Sequence, residues 1–331
     1  MLIGVEKVLS VIIPAYNEEG NIFNTAAVTS EILKNNNIEY ELVFVNDGSA
    51  DKTWDRLCEL SEKESSIVAV NFSRNFGKES AIFAGLKIAA GDACVVMDCD
   101  LQHPPETIIK MYNIWENNDI DIVEARKADR GKENPFYRFF AKLFYSLLKS
   151  GSGIDMKGAS DFKLMDRRAV DALNAMPERL TFFRAMSGWV GFKTERVYFE
   201  VQKREIGQTK WSLRGLVKYA ISSITSFSSL PMQLVTFFGL VLFIIALVLG
   251  ADTLYNKLSG NSEEGFSTVI LLQLITSSII MFSLGIIGYY LSKIYEEIKN
   301  RPRYIVGEIK KSKNIPKAKE TNNEEQSEKQ P

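Results

Sequence analysis

The sequence is short of cysteine, histidine and net charge, and each shortage narrows what the protein can be. Three cysteines, Cys58, Cys94 and Cys99, supply neither a disulfide framework nor a zinc-site spacing, and they read as reduced thiols of a cytosolic protein. His103 is the sole histidine. It is neither grouped with other metal ligands nor paired with a Ser or Cys, so it is expected to support a binding loop. A formal net charge of −1 over 331 residues gives no global attraction to nucleic acid, and no nucleic-acid partner is expected. No basic stretch followed by an apolar run of signal length opens the chain, because Leu9 to Pro14 is too short. The N-terminus is therefore expected to stay in the cytoplasm. No G-x-G-x-x-G or G-x-x-x-x-G-K-[ST] follows the first apolar run, which argues against a dinucleotide fold and against a P-loop.

What is present centres on Ala93 to Pro105. An apolar run, Ala93 to Met97, reads as a buried strand and ends in Asp98-Cys99-Asp100, after which Pro104-Pro105 prevents further pairing. Two carboxylates at i and i+2 where a pleat breaks can turn toward one point. Such a point suits Mg²⁺ or Mn²⁺, hard cations that take oxygen ligands and leave positions for substrate phosphates. Upstream, strands are expected at Val8–Pro14, Tyr40–Val45 and Ile67–Phe72, and downstream at Asp121–Ala125. Helices are expected between them, at Asn21–Lys34, Thr53–Ser61, Lys78–Ala89 and Glu106–Trp115. This alternation predicts an α/β domain with a mostly parallel sheet and helices on both faces. Polar residues close each strand: Asn17 and Glu18, Asp47, Arg74 and Asn75, Asp98 and Asp100, and Arg126. They should meet on one rim, where α/β sheets bind ligands.

From Asn134-Pro135 the pattern changes. Phe136, Phe139, Phe140, Leu143, Phe144, Leu147 and Leu148 recur at helical spacing with Arg138, Lys142 and Lys149 on another face. This basic amphipathic helix can lie in a membrane interface or pack as an ordinary core helix. A second such segment runs over 211–229. Leu230 to Gly250 and Phe266 to Ser292 contain no charged residue, and each reaches the about 20 apolar residues that span a bilayer. Lys and Arg crowd their outer flanks, including Lys203, Arg204, Lys210, Lys293, Lys299 and Arg301. By the positive-inside rule both termini are cytoplasmic and the hairpin loop faces out. The expected organisation is a cytosolic domain over 1–210, an interfacial helix over 211–229, a transmembrane hairpin over 230–292 (about 230–251 and 266–292), and a cytosolic tail over 293–331. Beyond Gly307 the tail, rich in Lys, Glu, Asn and Gln without apolar period, reads as disordered. The setting is a multi-pass protein of the plasma membrane.

Five motifs then occur in order: Ser10-Val11-Ile12-Ile13-Pro14-Ala15-Tyr16-Asn17-Glu18, Val45-Asn46-Asp47-Gly48-Ser49, Asp98 to Pro105, Gly158 to Met165, and Arg204-Glu205-Ile206-Gly207-Gln208-Thr209-Lys210-Trp211. Together with the hairpin they resemble the inverting GT-A-fold (Rossmann-like) family 2 glycosyltransferases of the polyprenyl-phosphate branch, over roughly residues 6 to 305. That branch includes dolichol-phosphate mannose synthase and the bactoprenol glucosyltransferases. The resemblance implies transfer of a hexose from a nucleotide sugar, UDP-glucose or UDP-GlcNAc, to undecaprenyl or another polyprenyl phosphate for cell-envelope glycan modification. It places the donor near Pro14, Tyr16, Glu18 and Asp47, and a Mg²⁺ or Mn²⁺ cofactor on Asp98, Asp100 and Gln102. It makes Asp161, with Asp100, the catalytic carboxylate, as a base or as a group that orients the acceptor. It gives Arg126, Arg138, Arg204 and Lys210 to the lipid phosphate.

Each motif also has a plainer reading. Asp47-Gly48-Ser49 makes an ordinary turn, and Asp161 can simply hold a buried amide. Gln208-Thr209-Lys210-Trp211 is one residue short of the Q-x-x-R-W of processive polysaccharide synthases and carries Lys for Arg. It is also followed by only two spans, so single transfer is expected over polymerisation. A non-catalytic membrane scaffold that binds a nucleotide sugar, a transferase acting on a different lipid, and a homo-oligomeric state all stay open.

Overall fold

The computed structural model describes residues 7–127, 160–178, 182–200, 230–259 and 265–311, which fall into two units. The first holds an eight-stranded sheet of order β7-β5-β6-β4-β1-β2-β3-β8. Strands β1 (Val8–Ala15), β2 (Glu39–Asn46), β3 (Ile67–Phe72) and β4 (Ala93–Val96) alternate with helices α1 (Ile22–Asn35), α2 (Thr53–Lys63) and α3 (Lys78–Ile88). After β4 come α4 (Glu106–Asn117), β5 (Ile122–Lys127), β6 (Lys163–Asp166), α5 (Arg167–Ala175), α6 (Phe183–Trp189) and β7 (Thr194–Phe199). Every element expected from β1 through β5 is present, with ends moved by a residue or two.

The central strands form because Val, Ile and Leu dominate them and both sheet faces are covered, the usual circumstance of parallel sheets. Leu42, Val43, Phe44 and Val45 of β2 are all completely buried. Each such side chain contributes about 1.5–3 kcal/mol relative to exposure. Helix α3 lies so close over β1 that a Cβ at Gly85 would come within 2.3 Å of Ile12 Cγ2. The chain builds β1, β2 and β3 outward, then returns to place β4 on the other side of β1, in parallel with it. That reversal opens a crevice at the carboxyl ends of β1 and β4, where doubly wound sheets bind ligands. β5 and β7 run in the same direction as β4, because β6 lies antiparallel between β4 and β5. The start of β6 therefore meets the same rim.

The last strand corrects the expectation of a disordered tail. Val306–Lys311 form β8, antiparallel to β3. Ser73 N–H donates to the Ile305 carbonyl at 3.0 Å, and the Tyr304 ring stacks on Phe72 with centroids 5.1 Å apart. β8 covers the edge that β3 would otherwise expose to stray pairing. Residues 312–331 lie outside the described part, as do the amphipathic segments that follow Pro135 and Trp211.

The second unit contains α7 (Leu230–Leu258) and α8 (Phe266–Ile298). Both overrun the expected apolar segments by one or two turns. The windows Val235–Asp252 and Ile275–Ile298 have mean hydropathies of 2.4 and 1.5, long and apolar enough to cross a membrane by length and composition. α8 stops where Asn300 takes a positive φ of 49°, a conformation that commonly ends helices.

Candidate active site

The rim is built from five strand ends. At β4 the ladder finishes with Met97 N–H donating to the Ile12 carbonyl, and the chain then turns tightly. The Asp100 carboxylate accepts the Gln102 N–H at 3.1 Å across Leu101, whose φ is +54°. This is an aspartate turn of the kind that tolerates left-handed backbone. Asp98 N–H donates to His103 Nδ1 at 3.2 Å, while the His103 ring stacks on Phe162 with centroids 4.8 Å apart. Burial lowers the His103 pKa, so the ring is a neutral wedge under the aspartate turn. That agrees with its expected supporting role.

Asp47 sits at the end of β2 and is nearly fully buried. Its carboxylate accepts the Phe76 N–H at 2.7 Å and the Gly77 N–H at 2.9 Å, pinning the loop ahead of α3. Burial raises its pKa, and these two amides only partly offset that. Gly48, at φ +62°, lies so near that loop that a Cβ would fall 2.3 Å from the Arg74 carbonyl carbon. Asp47-Gly48-Ser49 is thus both a turn and a buried acceptor. Pro14 lies in β1 opposite Val45, and Tyr16 beyond it is exposed. Glu18 N–H donates to Thr53 Oγ1, and its carboxylate accepts from Asn21 Nδ2 at 2.6 Å.

The centre of the rim is an ion cluster. Lys78, the first residue of α3, places its Nζ 2.6 Å from Asp98 Oδ1 and 2.9 Å from Asp161 Oδ2. Arg184 of α6 grips Asp161 in a fork, Nε to Oδ1 at 2.7 Å and Nη2 to Oδ2 at 3.0 Å. Burial alone would push the Asp161 carboxyl up, but Lys78 and Arg184 together hold it far below the ordinary carboxylate range. Asp98 is also held low, with Lys78 outweighing its burial. The adjacent Glu79, whose carboxylate accepts the Phe183 N–H at 2.8 Å, goes the other way. Burial, reinforced by the charge of Asp161, raises it to about 7. Environments that push neighbouring carboxyls apart are characteristic of functional sites.

Beside this cluster, Arg126 Nε bonds to Glu124 at 2.7 Å, and Lys163 Nζ reaches the same carboxylate at 3.0 Å. Both cations are almost entirely buried. Asp98, Asp100 and Arg126 thus lie at the carboxyl ends of β4 and β5 as the strand order expects, Lys78 bridges Asp98 to Asp161, and Gln102 follows in the aspartate turn. Arg138, Arg204 and Lys210 lie outside the described residues. Lys78, Arg184, Glu79, Glu124 and Lys163 had not been singled out by sequence. Lys78 had one signal, its place just after the polar end of β3; the short helix carrying Arg184 had none.

Among the described residues no group of three or more His, Cys, Asp or Glu side chains could hold a metal ion. The pair Asp98 and Asp100 still fits a divalent cation of the Mg²⁺ class, which is commonly held by one or two carboxylates and completed by substrate phosphates and water. The ammonium already on Asp98 shows that this position accepts positive charge.

Residues 10–173 match the profile of Glycosyl transferase family 2. An uncharacterized glycosyltransferase of Synechocystis is 37% identical over 91% of this chain and 95% of its own length. The chain belongs to glycosyl transferase family 2. Within that family it is 35% identical to the prophage bactoprenol glucosyl transferase homolog of Escherichia coli, over 92% of this chain and 99% of the relative. A bactoprenol glucosyl transferase of Shigella phage SfII is 35% identical over 90% of this chain and 97% of its own. Among solved structures, glucosyl-3-phosphoglycerate synthase of Mycobacterium tuberculosis, crystallised with Mn²⁺, UDP and phosphoglyceric acid, covers 66% of this chain and 76% of its own. Its TM-score is 0.48 at 19% identity. The chain is a glycosyltransferase with a GT-A-type α/β sheet, and its relatives match it well beyond residue 173, where the family profile stops.

Proposed function

We propose that the protein transfers a hexose, with inversion, from a nucleotide sugar to a polyprenyl phosphate held in a bilayer, the donor being UDP-glucose or UDP-GlcNAc. The observation that carries this reading is the near full-length likeness to bactoprenol glucosyl transferases, which takes in the two apolar helices as well as the sheet. The hairpin anchors the enzyme, with both termini in the cytoplasm.

The rim residues supply the chemistry. Asp98 and Asp100, with Gln102 beside them, would hold a divalent cation, which would supply charge neutralisation for the departing diphosphate. Asp47 keeps acceptor capacity beyond its two amide partners, since a carboxylate has about four lone-pair sites, and it takes a ring N–H of the donor base. Pro14, Tyr16 and Glu18 line the donor's approach. Asp161 is a poor base, because Lys78 and Arg184 hold it ionised. The reaction needs little base: a phosphate monoester has a second pKa near ~6 and arrives mostly as a dianion. Asp161 therefore orients, fixing two cations at the rim. Arg126, Arg138, Arg204 and Lys210 hold the lipid phosphate through charge-assisted hydrogen bonds.

Purified protein in detergent, given undecaprenyl phosphate and a panel of labelled UDP- and GDP-sugars, should form one lipid-linked hexose of inverted configuration. A protein that binds a nucleotide sugar yet transfers it to no polyprenyl phosphate would be a scaffold, and the reading would fall.

A further inference from the structure

Beyond holding Asp161 ionised, Lys78 reaches a second carboxylate in the middle of the site. Its ammonium touches one carboxylate assigned to the divalent cation, Asp98, and one assigned to orientation, Asp161. The two contacts are unequal. The Asp161 side chain is 5% exposed and has a second cation in Arg184. The Asp98 side chain is 31% exposed, and among the described residues its carboxylate is met by Lys78. The half of the bridge that can open is the Asp98 half.

The stem of Lys78 is itself held in place. It follows Gly77, whose N–H is fixed by Asp47, and its own residue begins α3, whose backbone packs on β1 at Gly85. The Lys78 backbone is thus fixed beside the loop that Asp47 holds, and its half-exposed side chain carries the ammonium to Asp98 and Asp161. The charge of Asp161 opposes ionisation of Asp98, and the Lys78 ammonium, in contact with both carboxylates, offsets it.

Resting on the functional reading above, we propose that Lys78 competes with the divalent cation for Asp98. Its ammonium neutralises Asp98 and Asp161 together, and it would cede the Asp98 carboxylate to the cation while keeping its hold on Asp161. The released ammonium then stands beside the incoming metal as a second positive charge for the donor's diphosphate. Lys78 is thus a positioning residue that competes with the metal before the donor binds and cooperates with it afterwards.

The test is Mn²⁺ binding by calorimetry and by electron paramagnetic resonance of free Mn²⁺. It uses the full-length protein in detergent, as wild type, Lys78→Ala and Lys78→Arg, first without nucleotide and then with UDP or GDP. Without nucleotide, Lys78→Ala should bind Mn²⁺ about two- to fivefold more tightly, the scale of one partly exposed ion pair removed from competition. Lys78→Arg, which keeps the charge, should stay near wild type. At saturating Mn²⁺ the order should invert, with Lys78→Ala binding the nucleoside diphosphate less tightly than wild type. Unchanged or weaker Mn²⁺ binding by a folded Lys78→Ala would overturn the proposal, as would absence of Mn²⁺ binding by wild type with and without nucleotide. If Lys78→Ala does not fold, Lys78→Met keeps the stem and answers the same question. None of these readouts depends on sugar transfer, so the competition can hold even if the acceptor assignment fails.

Discussion

The two units of this protein treat the same residue types in opposite ways. In the sheet unit, Ile12, Phe44 and Val95 are completely buried, and buried charge is compensated, as where Glu124 meets Arg126 and Lys163. In the helical unit, Phe243, Leu247 and Met281 are 60%, 58% and 68% exposed. Protein atoms cover the first set and do not cover the second. The contrast is that one unit covers its own large apolar residues and the other leaves them exposed. The sheet makes its own apolar interior, whereas the apolar surface of α7 and α8 calls for an external one, which we take to be lipid.

The sharpest way to break the comparison is to place the same carboxylate in both settings. Val43→Asp puts an unpaired charge into a fully buried strand position, and burying such a group costs several kcal/mol. The sheet unit should fail to fold, seen as loss of soluble oligomer-free protein after detergent extraction. Phe243→Asp places it in the middle of α7, where a bilayer imposes roughly 2.5–3.5 kcal/mol. The variant should lose membrane insertion, read by alkaline extraction. Undiminished insertion, or better behaviour in water without detergent, would mean that α7 faces something other than lipid.

A change at the rim should instead spare both architectures. Asp98→Asn or Asp100→Asn should cut turnover by on the order of 10²-fold or more, as when leaving-group charge goes uncompensated. Thermal stability and membrane extraction should stay as in wild type. EDTA should reproduce the loss and Mg²⁺ or Mn²⁺ should reverse it. Turnover indifferent to both variants and to EDTA would remove the cation from the mechanism.

The smallest expected effect concerns Glu79. Its folded pKa, raised to about 7, lies above the ordinary value of 4.5. Between those values the native state holds the extra proton, so the contribution is full below about 4.5 and is lost as pH rises through 7. Wild type should therefore lose stability relative to Glu79→Gln between pH 5 and pH 8, by roughly 5–10 °C in melting temperature. Parallel melting curves for the two proteins would show that Glu79 titrates normally.

Much of the sheet unit was legible from its residues, for identifiable reasons. Strands β1 to β4 are largely apolar runs closed by turn formers, and a parallel sheet buried on both faces requires such runs. The rim followed, because parallel strands put their carboxyl ends together. β6, β7 and β8 were harder. Lys163 opens β6 buried because Glu124 of the neighbouring strand pairs with it and Ser187 accepts from its ammonium. β8 reads as a charged tail, and Val306–Lys311 become a strand because β3 offers an open edge. The Lys78–Asp161 pair joins residues 83 apart, and the local spacing around either residue does not point to the other. Arg184 comes from a seven-residue helix with no periodic signature.

The account stands most directly on where the ends of the hairpin lie. In a Cys58→Ser background, where the remaining Cys94 and Cys99 are buried, a cysteine introduced at Ser259, after α7, or at Glu308, in β8, should be probed in intact cells with a membrane-impermeant thiol reagent. Both positions are exposed in the structure, so accessibility depends on the side of the membrane. The account predicts labelling of Ser259→Cys in intact cells and of Glu308→Cys only after permeabilisation. Equal labelling of both in intact cells, or the reverse pattern, would contradict it.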